Sequence, residues 1–473
     1  MHSSRDEVAS SITRSSDHFS SSTDRIERLD ADSQRMEELL RLLDAEDASS
    51  SDATTGPAST VDSRLQAELP AKPADARFQT LDAVRGAACL MLMFYHATFY
   101  AEHSWVSSDP STWTTGGLAI NLVGRLWMGV PMFFVVSGYC IAASIDSLRR
   151  KPYSIRQYFH RRFHRIYPPL WAGFTFAVCF TLIIGCLDGA VERCFQLPRL
   201  SSFSATDWIA NYTATASWLP PIMGQQTQHL MANTWTLCYE EQFYVVAGLL
   251  LVVASRRFFL ASYLIAGGTL IARHVCRYCG ISIDGFFFDG HWLLFACGIL
   301  MYQQVNYLRG RQATAAWIVL TIGSVYGLYE RIFALDPHDR HVGEYIFVAC
   351  GFAIILAVAK RWDRQLSTHW TLRPFASCGK ISYSLYLTHF PITVFIGSTL
   401  AFAGITRDAH VFLVTIPLCL LASFPVALVF YHLVEKRFVN DAKPSAPGSS
   451  RRLNEPIDQC QANPVFHPVP STR

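Results

Sequence analysis

The sequence is short of charged residues. Lys, Arg, Asp and Glu together make up 16% of its 473 residues, whereas soluble domains carry about 25%. Half of the residues (51%) are hydrophobic, and they occur in long blocks. The shortage of charge and the apolar blocks predict an integral membrane protein and argue against a soluble enzyme or a nucleic-acid-binding protein.

The paired cysteine motifs of a zinc site are also missing. Among 13 cysteines, Cys276 and Cys279 form a CxxC pair that has no second pair to complete it, so we expect no bound metal. A disulfide among Cys186, Cys194, Cys276 and Cys279 is an alternative, because all four cysteines lie near one predicted membrane face. We expect no cleavable signal peptide, since the start MHSSRDEV lacks an apolar stretch behind a basic flank.

The first 76 residues have too few apolar side chains to form a core. They contain 15 serines and 16 Asp/Glu against 8 Lys/Arg, which predicts a disordered, acidic, cytoplasmic tail. Apolar residues at helical spacing predict a short surface helix or weak coiled coil within 22–47. A transient helix in a disordered tail is the alternative. Residues 441–473 are predicted to be a disordered C-terminal tail.

Between the tails lie ten apolar blocks, each close to the length of one membrane-spanning helix, which needs about 20 mostly apolar residues. The blocks are 81–100, 121–145, 169–187, 240–255, 258–276, 288–306, 313–331, 344–360, 379–401 and 410–434. We therefore predict an all-α integral membrane protein with about ten transmembrane helices, within a domain that covers residues 77–440.

The loop charges predict how these spans are oriented. With the N-terminus placed inside, the inner loops hold 15 Lys/Arg, whereas the outer loops and outer span ends hold 8. This bias favours cytoplasmic N- and C-termini in a multi-pass protein of the plasma membrane. The longest outer loop, about 188–239, contains Asn211-Tyr-Thr, a glycosylation sequon that matters only in a eukaryotic secretory pathway.

Three ionisable residues interrupt the first span, LDAVRGAACLMLMFYHATFY. Arg85 and His96 are 11 positions apart, which returns them to nearly the same helix face about 16 Å apart along the axis. Asp82 precedes Arg85 by three positions and can pair with it. Ionisable groups inside a membrane are costly and usually functional. The alternative is an inert, hydrogen-bonded histidine at the outer interface.

A basic segment, YSIRQYFHRRFHRIYPPLW, precedes the third span. Its arginines include Arg162 and Arg165. Such a cluster can anchor the chain on anionic membrane lipid, or it can hold the phosphates of a nucleotide-bearing cofactor, since Arg makes bidentate phosphate contacts. Composition alone favours lipid anchoring.

Three further segments place polar residues in or beside apolar spans. In WMGVPMFFVVSGYC, the small pair Ser137-Gly138 favours close helix packing. In NTWTLCYEEQFYVV, Glu240 is a carboxylate that could orient His96 or bind an acceptor, or it could simply face water. In GKISYSLYLTHFPI, the spacing of Ser382, Tyr386 and His389 places them on one helix face, where they line a polar cavity or join helices by hydrogen bonds.

Taken together, these segments resemble the acyltransferase 3 family of membrane O-acyltransferases. The family pattern runs LDxxRGxAxxxVxxxH, FFxxSGF, RRxxRIxPxYW, WSLxxExxFY, ISYxLYLxHFP and VExPF. In the same order, this chain has LDAVRGAACLMLMFYH, FFVVSGY, RRFHRIYPPLW, WTLCYEEQFY, ISYSLYLTHFP and VEKRF. The resemblance covers about residues 78–440.

The resemblance implies an enzyme that moves an acyl group, with acetyl expected, from acyl-CoA to a hydroxyl of a carbohydrate or lipid acceptor. It assigns His96 as general base, with Arg85 and Glu240 as further catalytic residues. It favours cofactor binding over lipid anchoring for Arg162 and Arg165, together with Arg85. The expected substrate-binding residues are Asp82, Ser137, Tyr244, Tyr386 and His389. Direct transfer is the expected route, and a covalent acyl-histidine is the alternative.

Two other classes of protein remain open. A multi-pass transporter with charges along its pathway accounts for ten spans equally well, although spans 1–5 and 6–10 show no internal repeat of hydropathy. An inactive scaffold with the same fold is the other alternative. Thioester consumption would distinguish both from an enzyme.

Overall fold

In a computed structural model, the described residues are 78–107, 109–150, 155–185, 199–218, 227–281 and 289–440. The predicted tails 1–76 and 441–473, with the helix proposed within 22–47, lie outside the described residues. Within the described residues the regular structure is helical, with no β-strand. This confirms the all-α class.

The helices follow the predicted apolar blocks in order. They are α1 Leu81–Ala97, α2 Thr115–Gly124, α3 Gly129–Leu148, α4 Ile155–Gly185, α5 Ala205–Tyr212, α6 Trp235–Val253, α7 Phe258–Tyr278, α8 Trp292–Asn306, α9 Gly310–Phe333, α10 Pro337–Ala359, α11 Asp363–Thr368, α12 Arg373–Lys380, α13 Ser382–Phe402, α14 Asp408–His410, α15 Ile416–Phe430 and α16 Lys436–Asn440. A 3₁₀ turn, Arg125–Met128, joins α2 to α3, and π-helical turns Val411–Thr415 and Tyr431–Glu435 join α14 to α16.

Seven helical segments among the described residues are long and apolar enough to cross a membrane. They are Thr115–Leu148, Ile155–Ile184, Ala232–Val253, Ser255–Tyr278, Pro337–Thr368, Ser382–Phe402 and Asp408–Phe438. The chain is therefore a multi-pass membrane protein. The number ten and the cytoplasmic position of both termini stay predictions.

The other three predicted spans are also helical, but they differ from a simple apolar helix. Helix α1 has 17 residues and α8 has 15, which is short for a span of about 20 residues. Helix α9 has 24 residues but is less apolar than the seven. Many residues of α1 and α8 are buried among other helices, so their polar side chains can contact protein rather than lipid. Most of α9 is exposed.

Helix α1 touches α12 backbone to backbone at two glycines. A Cβ on Gly86 would lie 1.9 Å from the carbonyl oxygen of Phe375, and a Cβ on Gly379 would lie 1.9 Å from that of Asp82. Both distances are far shorter than any van der Waals contact. The glycine that follows Arg85 is therefore required by packing, and it brings α1 against the segment that leads into α13.

We expect Gly86→Ala to lower the free energy of unfolding by at least about 1–3 kcal/mol, because the added methyl group overpacks a rigid backbone contact. Gly351→Ala is the matched control, since a Cβ at this helical glycine meets no atom within 4 Å. Thermal unfolding in detergent measures both variants. Equal midpoints for the two variants would contradict the packing role of Gly86.

Helices α3 and α8 make a second close contact, at Gly138 and Gly298. A Cβ on Gly138 would lie 2.2 Å from the Phe295 carbonyl oxygen, and one on Gly298 would lie 2.1 Å from that of Val135. The structure thus confirms the packing interpretation for Gly138. Its neighbour Ser137 has a different role, in a hydrogen bond to Glu240.

The segment before α6 is held by a buried polar network around α5. Asn211 is 2% exposed; its amide donates to the Gln228 carbonyl and accepts from the Leu230 N–H. This burial leaves the predicted sequon without an accessible amide. Burial disfavours the Asp207 carboxylate, but hydrogen bonds from Ser204 and Gln228 outweigh it and lower the pKa of Asp207.

Candidate active site

The two ends of the helix bundle differ in chemistry. One end, called the aromatic end, is formed at or near the starts of α3, α6, α8 and α10. Four rings contact one another there, with centroids 5.2–6.4 Å apart: Trp127, Trp235, His291 and Tyr345. The opposite end, the arginine end, holds arginines from the start of α1, the end of α3 and the start of α4: Arg85, Arg149, Arg150, Arg162 and Arg165. The candidate site lies on the helices that connect these ends.

Two histidines from distant parts of the chain form a pair within the bundle. Nδ1 of His96, near the end of α1, lies 3.0 Å from Nε2 of His389 in α13. The rings are stacked, with centroids 5.2 Å apart and planes 18° apart. His389 is 2% exposed, whereas His96 is partly exposed. The structure therefore brings together two residues predicted separately as a base and a substrate-binding residue.

The hydrogen bonds fix which nitrogen of His96 can act as a base. His389 Nδ1 lies 2.7 Å from the Leu385 carbonyl oxygen. That oxygen only accepts, so His389 Nδ1 carries a proton and, on a neutral ring, Nε2 accepts. His96 Nδ1 must then donate to it, which leaves the lone pair on His96 Nε2. These assignments follow from donor and acceptor matching.

Aromatic rings hold the imidazole of His96 in this orientation. Phe390 meets it at a centroid distance of 5.3 Å and 88°, and Phe99 at 5.6 Å and 69°. Tyr95 lies 5.5 Å away. Aromatic rings beside an imidazole reduce its contact with water, and a drier site strengthens the electrostatic interactions inside it.

Glu240 is placed in a polar cluster with two other predicted site residues. Its Oε1 accepts from the Ser137 hydroxyl at 2.8 Å and from the Tyr244 hydroxyl. Three predicted site residues thus meet between α3 and α6. The residue that the structure places against the His96 imidazole is His389, so the orienting contact once considered for Glu240 is made by a histidine.

The predicted cofactor-binding arginines lie at the arginine end. Arg85 pairs with Asp82 at 3.1 Å, as the spacing of three predicted. Arg162 donates to the Ser144 hydroxyl at 2.8 Å, and its guanidinium lies 5.2 Å from the centre of the Tyr244 ring. Arg165 is exposed. A series of side-chain contacts, from Arg162 to Tyr244 and from Tyr244 to Glu240, joins this end to the middle of the bundle.

Tyr386 helps to lock the start of α6 onto α13. Its hydroxyl donates to the Asn233 carbonyl at 2.8 Å and lies 3.0 Å from the Thr236 hydroxyl. In return, the Asn233 amide donates to the Tyr386 carbonyl at 2.9 Å. Tyr386 lies one turn before His389, and its bonds position the helix that carries the histidine pair.

One buried carboxylate at the arginine end was not predicted to have a role. Glu435 is 5% exposed and accepts from the backbone and the hydroxyl of Ser384. Arg85 and Arg165 both act on it electrostatically. The sequence signal was available, because Glu435 belongs to the closing VEKRF motif.

A second buried acid–histidine pair, at the aromatic end, was also missed. Nδ1 of His291 lies 2.9 Å from Oδ1 of Asp289, and the Tyr239 hydroxyl donates to the other carboxylate oxygen. Asp289 and His291 are 2% and 5% exposed. The sequence signal was an acid and a histidine two positions apart at the start of an apolar block.

The structure describes only two of the four cysteines considered for a disulfide. Cys276 and Cys279 both have free thiols, so the structure does not join them. Cys186 and Cys194 lie outside the described residues. Within the described part of the chain, no group of three or more His, Cys, Asp or Glu side chains is arranged to hold a metal ion.

The fold and the site define a class: a multi-pass membrane protein with a histidine base candidate inside the bundle and clustered arginines at one end. Residues 78–432 match the family described as acyltransferase domain, acyltransferase 3. The chain belongs to this family. No solved structure matches the chain.

The curated relatives are similar over most of the membrane part. The O-acetyltransferase OatA of Staphylococcus aureus is 24% identical over 67% of this chain and 51% of its own length. The "Putative membrane-bound transacylase BcsY" of Komagataeibacter xylinus is 24% identical over 67% and 72%. The "Putative peptidoglycan O-acetyltransferase YrhL" of Bacillus subtilis is 22% identical over 75% and 54%. The chain thus spans about half the length of OatA.

Proposed function

We propose that this protein transfers an acyl group, acetyl in the first instance, from acyl-CoA to a hydroxyl of a carbohydrate or lipid acceptor. The observation that carries the proposal is a pair of linked hydrogen bonds, from His96 Nδ1 to His389 Nε2 and from His389 Nδ1 to the Leu385 carbonyl. This pair leaves His96 Nε2 unprotonated inside the bundle. A base in this position is what an acceptor hydroxyl needs before it can attack a thioester.

The proposed reaction is a direct transfer. His96 Nε2 takes the hydroxyl proton while the acceptor oxygen forms a bond to the thioester carbonyl carbon. The tetrahedral intermediate then collapses, the carbon–sulfur bond breaks, and CoA leaves as the thiolate, which takes the proton from the His96 imidazolium. His389 Nε2 accepts a hydrogen bond from His96 Nδ1 throughout. Acyl label trapped on the protein would favour the acyl-histidine route instead.

The donor is proposed to bind at the arginine end. CoA carries phosphates, and guanidinium groups bind phosphate in a bidentate manner. Arg85, Arg162 and Arg165 are proposed to hold these phosphates, on the side predicted to be cytoplasmic. The Glu240 cluster with Ser137 and Tyr244 is proposed to face the substrates between this end and the histidine pair, together with Asp82 and Tyr386.

The acceptor is proposed to be a carbohydrate, with a lipid hydroxyl as the alternative. The names of two relatives support an O-acetyl product, and one of these names specifies peptidoglycan. Within this proposal, residues 77–440 form the catalytic domain of a plasma-membrane enzyme, and 1–76 and 441–473 are tails. The reaction needs no metal.

We expect Arg162→Gln to raise the KM for acetyl-CoA about tenfold, since it removes a charged phosphate contact, and to leave the KM for the acceptor unchanged. Arg311→Gln is the matched control, because Arg311 is exposed near the start of α9. Initial rates of CoA release at varied acetyl-CoA give both constants. An unchanged KM in Arg162→Gln would remove this residue from the donor site.

The test of the function itself is acetyl transfer by the purified full chain in detergent. Acetyl-CoA is supplied with soluble peptidoglycan fragments, N-acetylglucosamine oligomers or a fatty alcohol, and both free CoA and acetylated acceptor are measured. Release that depends on the acceptor supports the proposal. The absence of release with every acceptor, together with the absence of acetyl-CoA binding, would favour the transporter or the inactive scaffold.

A further inference from the structure

At the aromatic end, the side chain of His291 is held by the buried carboxylate of Asp289. Among the described residues, the Asp289 carboxylate accepts hydrogen bonds from the Tyr239 hydroxyl, from the His291 backbone at 3.1 Å and from His291 Nδ1 at 2.9 Å. A carboxylate with such donors is stabilised in its ionised form. It therefore holds the imidazole of His291 in one orientation, with Nδ1 protonated.

The other nitrogen of His291, Nε2, has no hydrogen-bond partner within the part of the chain that the structure describes. It is buried, on a side chain that is only 5% exposed. Leaving a buried polar atom unpaired is unfavourable, and such groups in native structures call for an explanation. With Nδ1 protonated, Nε2 accepts on a neutral ring and donates on an imidazolium. A hydroxyl group satisfies either form, because it both donates and accepts.

Aromatic side chains surround the His291 ring. Trp235, Tyr345 and Tyr239 lie 5.6, 5.7 and 4.4 Å from His291 between ring centroids. Trp127 extends the wall, 5.2 Å from Tyr345. Trp127, Trp235 and Tyr345 keep partly exposed surface inside this helical end, which leaves ring surface for a ligand. An aromatic wall with one fixed polar group is the usual composition of a small-molecule site.

The wall extends toward the helix that carries the proposed base. Tyr345 acts electrostatically on Tyr95, and the Tyr95 ring lies 5.5 Å from that of His96. A ligand on this wall would therefore lie toward the end of α1 that carries His96, away from the arginine end. This arrangement separates a donor entering from one end from an acceptor entering at the other.

We propose that His291, positioned by Asp289, is the polar anchor of an acceptor subsite walled by Trp127, Trp235 and Tyr345. The class of ligand is a saccharide, whose C–H faces stack on aromatic rings while one hydroxyl bonds His291 Nε2. The inference rests on the proposed acyl transfer and adds to it the residue that selects the acceptor.

Two near-isosteric variants separate the two nitrogens. His291→Asn keeps an amide N–H for Asp289 and has no polar atom at the Nε2 position. His291→Gln restores a polar atom there and gives up the bond to Asp289. The matched control is His410→Asn, the same substitution at an exposed histidine of α14. Soluble peptidoglycan fragments are the saccharide probe, and a fatty alcohol is the non-saccharide probe.

We expect His291→Asn to raise the KM for peptidoglycan fragments by about 5- to 100-fold, the effect of removing one buried hydrogen-bond partner from a hydroxyl. The KM for acetyl-CoA stays unchanged, and His291→Gln lies between Asn and wild type. A titration of tryptophan fluorescence with the same fragments, without donor, shows the same order of affinities, because Trp127 and Trp235 form the wall.

The outcomes separate this inference from the proposed function. If wild type acetylates the fragments and His291→Asn has an unchanged KM for them, the subsite is overturned and the proposed acyl transfer is supported. Transfer to the fatty alcohol alone, or no fluorescence response to the fragments, overturns the saccharide class. Saturable fluorescence binding that is lost in His291→Asn, in a protein that shows no transfer, supports the subsite and overturns the enzyme.

Discussion

Replacement of His96 by alanine is expected to lower acyl transfer by about 10²–10⁴-fold, the usual contribution of a general base. The imidazole has one unprotonated nitrogen, because His389 accepts from the other. The loss should appear in kcat, since the base acts in the transition state, while the KM for acetyl-CoA changes little. Single-turnover transfer of labelled acetyl to peptidoglycan fragments measures it.

A second substitution shows whether the loss is chemical or structural. His96→Asn keeps an amide N–H that can donate to His389 Nε2 and removes only the outward nitrogen. We expect it to be as inactive as His96→Ala and to unfold at nearly the temperature of wild type. His410→Ala, at an exposed position, is the control. Activity close to wild type in His96→Asn would rule out Nε2 as the base.

The histidine pair shows where sequence analysis reaches its limit. Helical periodicity alone predicts that Arg85 and His96 share a face of α1, and that Tyr386 and His389 share a face of α13. The contact between His96 and His389 joins residues 293 positions apart, and local spacing carries no information on such a pair. The partner of the base therefore became visible only from the packing of α1 against α13.

The Ser137-Gly138 pair shows a second limit, because one motif serves two purposes. Gly138 allows α3 to contact α8, as a small residue in a span predicts. Ser137 faces the other way and donates to Glu240. Composition assigns both residues to packing, and the direction of each side chain depends on which helix lies on which face of α3.

Helices α1 and α8 help to build the site although both are short for a membrane-spanning helix, with 17 and 15 residues. Both carry polar side chains, and many of their residues are buried inside the bundle. The residues with candidate roles lie at the ends of these short helices, namely His96 near the end of α1 and His291 just before α8. A short span that carries an ionisable residue can therefore mark a functional helix in this fold.

Removal of the His389 ring is expected to lower kcat by about 10- to 100-fold, the range found when a partner that orients a functional histidine is lost. In His389→Leu the Nδ1–H of His96 has no acceptor, so the ring is free to turn or to adopt the other tautomer. His389→Gln can place its amide oxygen near the former Nε2 position. We therefore expect Gln to recover part of the activity that Leu loses, with both KM values close to wild type.

A tautomer measurement makes this positioning role independent of turnover. In ¹⁵N-histidine-labelled protein, the difference between the spectra of wild type and His96→Ala isolates the His96 ring. We expect a protonated Nδ1 and an unprotonated Nε2 in wild type, and a mixture of tautomers in His389→Leu. A proton on Nε2 in neutral wild-type protein, or full activity in His389→Leu, would show that the stacked pair joins the helices without preparing the base.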